Sequence, residues 1–439
     1  MIEALRNSFR LPDLRNKMLI TVLILVVYQF AAHVPVPGVN REALQALFNS
    51  EGAGLVNVLN LLSGGAVSNF SVMANGVYPF ITASIIIQLL TPIIPQLEAI
   101  AREPGGAEKL NGQYTYYLAI PMAALQAWGQ INIFTSLAGG NQIVEGFGTD
   151  PFITLSTIIT MTAGTMFAIW LGDLITEQGI GQGLSIIIFA GIVARVPYNL
   201  GRMVLNSQNA LFNVVVFILL TLITVIVIVV VQEGVRRIPV QYGKRVRGRK
   251  VYGGGSTFVP LRVNTAGMIP LIFAQSIMAF PAVLVSLFPP GPFGDAITRT
   301  FGSQTGFTYW FLYFLLVVGF TYFYTDVMIQ NQNLAENLQR QGGFIPGIRP
   351  GRRTQEFINH VVRRITLVGA LFLGLVAVLP GVVQALNNIL FPGTATNFGS
   401  NPALVISSAG LIIVVGVVID TMRQLEAQLV MRNYESFMR

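Results

Sequence analysis

The chain has 439 residues, of which 53% are hydrophobic and only 10% are charged, and its mean hydropathy is +0.64. This composition leaves too little polar surface to cover a soluble globule, so lipid must cover much of the molecule. The absence of cysteine excludes thiol catalysis, disulfides and cysteine-bound metal or iron–sulfur centres. The formal net charge of +8 is compatible with binding to nucleic acid, to an anionic membrane surface or to an acidic partner.

Ten apolar stretches recur along the chain, each close to the roughly 20 residues that a helix needs to cross a bilayer. They predict an all-α, polytopic membrane protein with about ten transmembrane helices. The predicted spans are residues 18–36, 76–97, 113–134, 152–171, 183–200, 210–231, 265–288, 307–325, 365–386 and 402–419.

The positive charges are distributed unevenly between the two sides of these spans. Of the 27 lysine and arginine residues, all lie on one side except Arg41, Arg195, Arg202 and Arg299. Because cationic loops resist translocation, the charged side is the cytosolic one. Both chain termini are therefore predicted to be cytosolic.

The external connection between the first two spans ends in an apolar segment, residues 61–70, that is rich in small residues and too short to span a membrane. One interpretation is a re-entrant half-helix, which requires a central cavity because non-helical backbone at membrane depth must be enclosed by protein. The other is an amphipathic helix lying on the outer surface. The residue pattern alone leaves both open.

Two cytosolic connections carry most of the positive charge. Residues 232–264 contain seven cations within positions 236–250, around a triple-glycine turn, and their alternating pattern predicts a projecting hairpin. Residues 326–364 contain a second cluster of cations at 347–353. Pro350 and the flanking glycines predict that this cluster forms a rigid basic tip. Such runs commonly only anchor topology, but their density favours docking onto RNA phosphates or an acidic protein face.

Motifs for catalysis are missing from the sequence. It contains no Walker phosphate loop, no His-Glu-x-x-His zinc site and no Gly-x-Ser-x-Gly elbow. The middles of the predicted spans carry no charged residue, which argues against proton coupling, and Asp173, Asp326 and Asp420 fall at predicted cytosolic helix ends. We therefore expect neither an enzyme nor a bound cofactor or metal.

Two motifs give the sequence a family resemblance. Residues 76–88 (GVYPFITASIIIQ) and 173–191, which contain TEQGIGQG, resemble the two signatures of the SecY/Sec61-alpha family. The basic hairpin, the 346–351 loop and the 420–439 tail also fit, so the resemblance covers essentially the whole chain. Gln182 departs from the asparagine that the family more often has, which affects only a turn.

The resemblance implies a specific architecture. It implies two pseudo-symmetric inverted halves, 1–205 and 206–439, hinged between spans five and six and opening laterally between spans two and three on one side and seven and eight on the other. It implies an external plug at 61–73, including Leu62, Ser63, Gly64, Gly65, Ala66, Val67, Ser68, Asn69 and Phe70. It also implies an aliphatic pore ring of Ile81, Ile85, Ile188, Ile192, Ile272 and Ile413.

The resemblance further implies a passive pore in the bacterial cytoplasmic membrane, through which unfolded secretory chains cross and hydrophobic segments move sideways into membrane lipids. The implied partners are the subunits SecE and SecG, the SecA motor, the ribosome with its rRNA and proteins, and signal peptides of preproteins. The cations of the two basic loops exceed what topology needs, which predicts partner binding at Arg245, Arg247, Arg249, Lys250, Arg349, Arg352 and Arg353. Of these, Arg349 also resembles an arginine of the family implicated in motor-driven transport. The alternative is a small-solute secondary transporter, which would also be built from inverted repeats.

The charge asymmetry gives a direct prediction of topology. Because the chain has no cysteine, single cysteines introduced at Gly254 and Gly393 report on one site each. We expect a membrane-impermeant maleimide added outside intact cells to label position 393 and to spare position 254. The reverse labelling pattern would show that the orientation is wrong.

Overall fold

The computed structural model describes residues 11–40, 42–44, 66–91, 93–103, 106, 110–137, 142–206, 210–242, 245–247, 250–252, 256–285, 291–297, 300–301, 306–332, 334–390 and 408–437. Within these residues the chain is mostly helical, with five short strands. In the first half of the sequence the helices are α1 (Pro12–Ala31), α2 (Tyr78–Leu90), α3 (Pro95–Arg102), α4 (Thr115–Leu137), α5 (Pro151–Gln178) and α6 (Gly183–Asn206).

The second half contains the remaining elements. Its helices are α7 (Ala210–Glu233), α8 (Ile269–Val285), α9 (Pro292–Ile297), α10 (Phe307–Gln332), α11 (Leu334–Arg340), α12 (Arg352–Leu390) and α13 (Ser408–Phe437). Its strands are β1 (Val235–Tyr242), β2 (Arg245–Arg247), β3 (Lys250–Tyr252), β4 (Ser256–Arg262) and β5 (Gly343–Phe344).

Several helices begin where the sequence supplies a start signal. Proline is the first residue of α1, α3 and α5, a position where its missing N–H costs nothing. The Asp150 carboxylate caps α5 by accepting a hydrogen bond from the amide of Phe152 at 2.9 Å. The helices then pack in neighbouring sets: α4 against α2 and α5, α10 along α12, and α13 against α6 and α7.

A helix occupies each of the ten stretches predicted from hydropathy. Within the described residues, four helices are long and apolar enough to cross a membrane, and a fifth qualifies if α2 and α3 form one bent span. Their outer faces expose large apolar side chains such as Leu19, Phe152 and Leu375, each at least 60% exposed. This arrangement confirms a mainly helical protein with several apolar helices, and lipid is the solvent that such faces require.

Some helix boundaries differ from the predicted ones. The second predicted span, 76–97, is interrupted, because α2 ends at Leu90 and the chain bends by 101° into α3, which begins at Pro95. Conversely, α12 starts at Arg352, well before the predicted span at 365. Arg352 and Arg353 therefore lie on the first turn of a helix and not in a loop.

The predicted basic hairpin is confirmed and belongs to a larger sheet. Antiparallel β1 and β4 pair with Ile238 opposite Val259. The short strand β5, from the second basic connection, adds to the other edge of β1 at Gln241 and Tyr242. Below the sheet, Ile238 and Val240 pack with apolar residues of α10, α11 and α12. The two basic connections are therefore one folded unit.

A close approach at Gly164 of α5 positions the non-helical segment before α2. A Cβ at this glycine would overlap the main-chain carbonyl oxygen of Val72. The absence of a side chain lets the 66–77 segment lie directly against α5.

We expect Gly164→Ala to destabilise the protein by about 1–3 kcal/mol, because neither the helix nor the Val72 backbone can yield without displacing buried neighbours. Thermal unfolding in detergent measures the change. The control is Gly319→Ala on α10, where a Cβ meets open space and where alanine favours the helix by roughly 0.5–1 kcal/mol. Equal behaviour of the two variants would contradict the prediction.

Candidate functional site

The six isoleucines singled out from the sequence lie on four helices. Each of α2 and α6 supplies two that are four residues apart and so share a helix face, while α8 and α13 supply one each. Five of the six are at most 6% exposed, and Ile81 is partly buried. In chain order they are Ile81, Ile85, Ile188, Ile192, Ile272 and Ile413.

The structure brings most of these side chains together. Those of α6, α8 and α13 belong to one buried apolar cluster, against which Ile81 packs. Ile85 belongs to an adjacent cluster with Ala266, Phe273 and Tyr324, and Ile81 contacts that cluster as well. The six isoleucines thus lie in or against two adjoining apolar clusters that contain residues from both halves of the sequence.

The segment before α2 is buried against the apolar cluster that contains the isoleucines of α6, α8 and α13. Residues 66–69 form a 3₁₀ turn, and Ala66, Val67 and Phe70 are inaccessible to solvent. Ala66 belongs to the same cluster as the α6, α8 and α13 isoleucines. The burial of Ala66, Val67 and Phe70 is compatible with the re-entrant interpretation, which stays a prediction. Positions 62–65 of the predicted plug lie outside the described residues.

Backbone hydrogen bonds hold the far end of this segment. The amide of Val36 donates to the carbonyl of Phe70, and the amide of Val72 donates to the carbonyl of Val34, both at 3.0 Å. Phe70 has a φ of +43°, which is uncommon for a residue with a side chain. Its ring packs edge-on against Phe134 of α4 at 6.0 Å between centroids. The segment is therefore tied to the chain that leaves α1.

Helix α8, from the second half of the sequence, contacts α2 and α4, from the first half. We call this contact the seam. The hydroxyl of Tyr78, on α2, donates a hydrogen bond of 2.8 Å to the main-chain carbonyl of Ser276 on α8. Within the first half, Gln126 of α4 donates to the Thr82 hydroxyl of α2 at 3.4 Å. Sequence reasoning missed the Tyr78 contact, because a main-chain acceptor leaves no signature in the sequence.

The basic residues occupy two places on the sheet unit. Arg245, Arg247 and Lys250 lie on the two-stranded tip formed by β2 and β3, while Arg249 lies outside the described residues. Arg349 is exposed on a turn between Gly347 and Gly351, which have φ values of +83° and +103°.

The neighbouring cations of the second loop are also exposed. Arg352 and Arg353 follow that turn on the first turn of α12, and the Arg352 Nε is 3.2 Å from the Glu356 carboxylate. This pair is solvated on both sides, so it contributes little to stability and leaves the guanidinium accessible to a partner.

One polar cavity near the hairpin base involves both halves. It has a volume of about 260 Å³ and is lined by Gln182 at the start of α6, Arg262 at the end of β4 and Asp420 of α13. Beside it, Arg423 and Glu233 form an ion pair at 2.8 Å between α13 and α7. Asp420 is therefore part of a charge cluster between elements, which its position at a predicted helix end did not indicate.

The same arrangement of helices occurs in solved structures of channels. One described as "The structure of a protein conducting channel" superposes with a TM-score of 0.63 at 16% identity, covering 95% of this chain and 93% of that chain. A structure reporting on the plug domain of the SecY protein gives a TM-score of 0.61 at 17% identity, covering 95% and 92%. The fold is thus that of the protein-conducting channels.

Sequence comparison extends this class to a family. The sequence model of the SecY family matches residues 71–422. Proteins named protein translocase subunit SecY are 38% identical in Thermus thermophilus, over all of this chain and 98% of that protein, and 41% identical in Streptomyces coelicolor, over all of both. The chain belongs to the SecY family, which confirms the resemblance recognised in its motifs.

Proposed function

We propose that this protein is the pore-forming subunit of a protein translocase. It is a passive channel through which unfolded secretory polypeptides cross the bacterial cytoplasmic membrane and from which hydrophobic segments pass sideways into lipid. The observation that carries the proposal is that aliphatic side chains from four helices, together with Ala66 of the buried 66–70 turn, belong to two adjoining apolar clusters. Relatives of the same length named protein translocase subunit support it.

The proposed architecture has ten spans in two halves, 1–205 and 206–439, with both termini and the β1–β5 sheet in the cytosol. The contacts of α8 with α2, α4 and α10 support a lateral exit at this seam, because they put spans two and three beside spans seven and eight. The boundary between α6 and α7 is the proposed hinge. A channel of this kind supplies no chemical energy, so translocation needs an external motor or a translating ribosome.

The proposed seal has two layers, namely the isoleucine ring and the plug segment 61–73. A ring of aliphatic side chains resists ions by dewetting, yet it can close around a flexible chain in transit. The plug covers the ring when the channel is at rest. Its tether through Val36 and Phe70 lets it move aside without leaving the protein.

We expect Ile85→Ser combined with Ile192→Ser to raise the resting ion conductance in planar bilayers severalfold, because hydroxyls would wet the constriction. The matched control is Ile159→Ser combined with Ile226→Ser, since both isoleucines are more than half exposed on outer helix faces. The control should keep the wild-type conductance. Equal conductance of the wild type, the double variant and the control would show that Ile85 and Ile192 do not form the seal.

The basic sheet unit is the proposed docking platform for SecA and for the ribosome, with SecE and SecG as neighbours in the membrane. The exposed cations Arg349, Arg352 and Arg353 lie beside the folded sheet, so an acidic protein face or RNA phosphates would meet them in fixed positions. A solved Sec61 structure within a canine ribosome–channel complex has the same fold, with a TM-score of 0.61 at 14% identity.

Reconstitution tests the function as a whole. Proteoliposomes containing this protein with SecE and SecG, supplied with SecA and ATP, should protect a signal-bearing preprotein from external protease. Omission of ATP should abolish protection. Uptake of small solutes without preprotein protection would instead support the alternative of a secondary transporter.

We expect Arg349→Glu to reduce SecA-driven protection by at least tenfold while leaving membrane insertion and resting conductance unchanged, because a like charge would face an acidic partner surface at a cost of several kcal/mol. The control is Arg340→Glu, which reverses one charge on α11 of the same connection at a residue paired with Glu336. Comparable transport by the two variants would leave Arg349 with a topological role only.

A further inference from the structure

The seam between α2 and α8 is held in two different ways. Near its middle the contact is apolar, with Ile85 packed among Ala266, Phe273 and Tyr324. At the N-terminal end of α2 the contact is polar: the Tyr78 hydroxyl reaches across to the Ser276 carbonyl at 2.8 Å. Tyr78 is 5% exposed and Ser276 is 1% exposed, so water does not compete for this hydrogen bond.

The two kinds of contact respond differently when the helices part. An apolar segment entering the seam can replace the contacts of Ile85 and Phe273 with equivalent ones, at little net cost. It cannot replace the acceptor of the Tyr78 hydroxyl, and an unpaired buried hydroxyl carries a desolvation penalty. The hydrogen bond therefore opposes opening specifically.

The acceptor site is fixed by the backbone of α8. Ser276 lies within α8, so its main-chain carbonyl is positioned by the helix itself. The Ser276 hydroxyl donates its hydrogen bond within α8, to the Ile272 carbonyl at 2.8 Å, and not across the seam. The bond across the seam thus depends on the side chain of Tyr78 alone, and neither partner carries a charge that pH or salt would change.

We propose that Tyr78 is the latch of this seam and sets how hydrophobic a segment must be before it leaves the channel sideways. The inference rests on the lateral exit proposed above and adds a named residue that determines its selectivity. A segment leaves when its gain from entering lipid exceeds the cost of parting α2 from α8. Loss of the Tyr78 bond lowers that cost, so less hydrophobic segments should escape.

The test is Tyr78→Phe, which removes one oxygen atom and keeps the ring. Loss of a buried hydrogen bond corresponds to a change of about five- to tenfold in the ratio of open to closed seams. Preproteins carrying a test segment with a graded number of leucines among alanines measure the effect in proteoliposomes. The number of leucines at which half of the segments insert should fall by about two, given the contribution of each leucine to insertion.

The matched control is Tyr324→Phe. Tyr324 packs edge-on against Phe273 in the apolar part of the seam, and among the described residues its hydroxyl makes no hydrogen bond across it. Its variant should keep the wild-type threshold. A wild-type threshold in Tyr78→Phe would overturn the latch, and so would an equal fall in both variants, which would indicate general loosening.

A second measurement does not depend on transport. Cysteines introduced at positions 85 and 273, which belong to the same cluster across the seam, can be joined by a short bis-maleimide in this otherwise cysteine-free chain. Tyr78→Phe should reduce the yield of cross-link, and an unchanged yield would contradict the latch. Failure of the wild-type protein to transport any preprotein would instead refute the proposed function.

Discussion

The structure depends on one constraint: within a bilayer, every backbone donor and acceptor must find its partner inside the protein. Helices satisfy this constraint on their own, and they make up most of the described chain. The segment from 66 to 77 departs from helical geometry and is therefore enclosed by helices. Its amides and carbonyls bond with the 34–36 stretch, and Gly164 gives it room against α5. A central non-helical segment is thus possible only because several helices surround it.

A channel that opens sideways must join its halves by contacts that are tight but separable. The contacts between α8 and α2 meet this requirement because they combine replaceable apolar packing with the neutral hydrogen bond of Tyr78. Among the described residues, the ion pair of Arg423 with Glu233 lies near the hairpin base and not between α2 and α8. A buried ion pair would cost several kcal/mol to separate and would hinder reversible opening.

Hydropathy predicted the helices because lipid exposure imposes long apolar runs, and alternation with glycine predicted the hairpin. The addition of β5 to β1 could not be predicted, because two residues carry no pattern and Gln241 is distant in sequence from Phe344. The early start of α12 was missed because charge marks where a membrane ends and not where a helix ends. The six isoleucines looked like ordinary core residues, and only the family resemblance distinguished them.

The sheet unit links the proposed docking surface to the pore. Ile238 of β1 packs with Ile329 of α10 and Ile358 of α12, while α10 also lies along α8. Close-packed interiors transmit displacement instead of absorbing it. A partner bound at Arg349 would therefore press on a rigid base that is continuous with α10 and, through it, with one wall of the seam. In the proposed function, docking and lateral opening would in this way be mechanically connected.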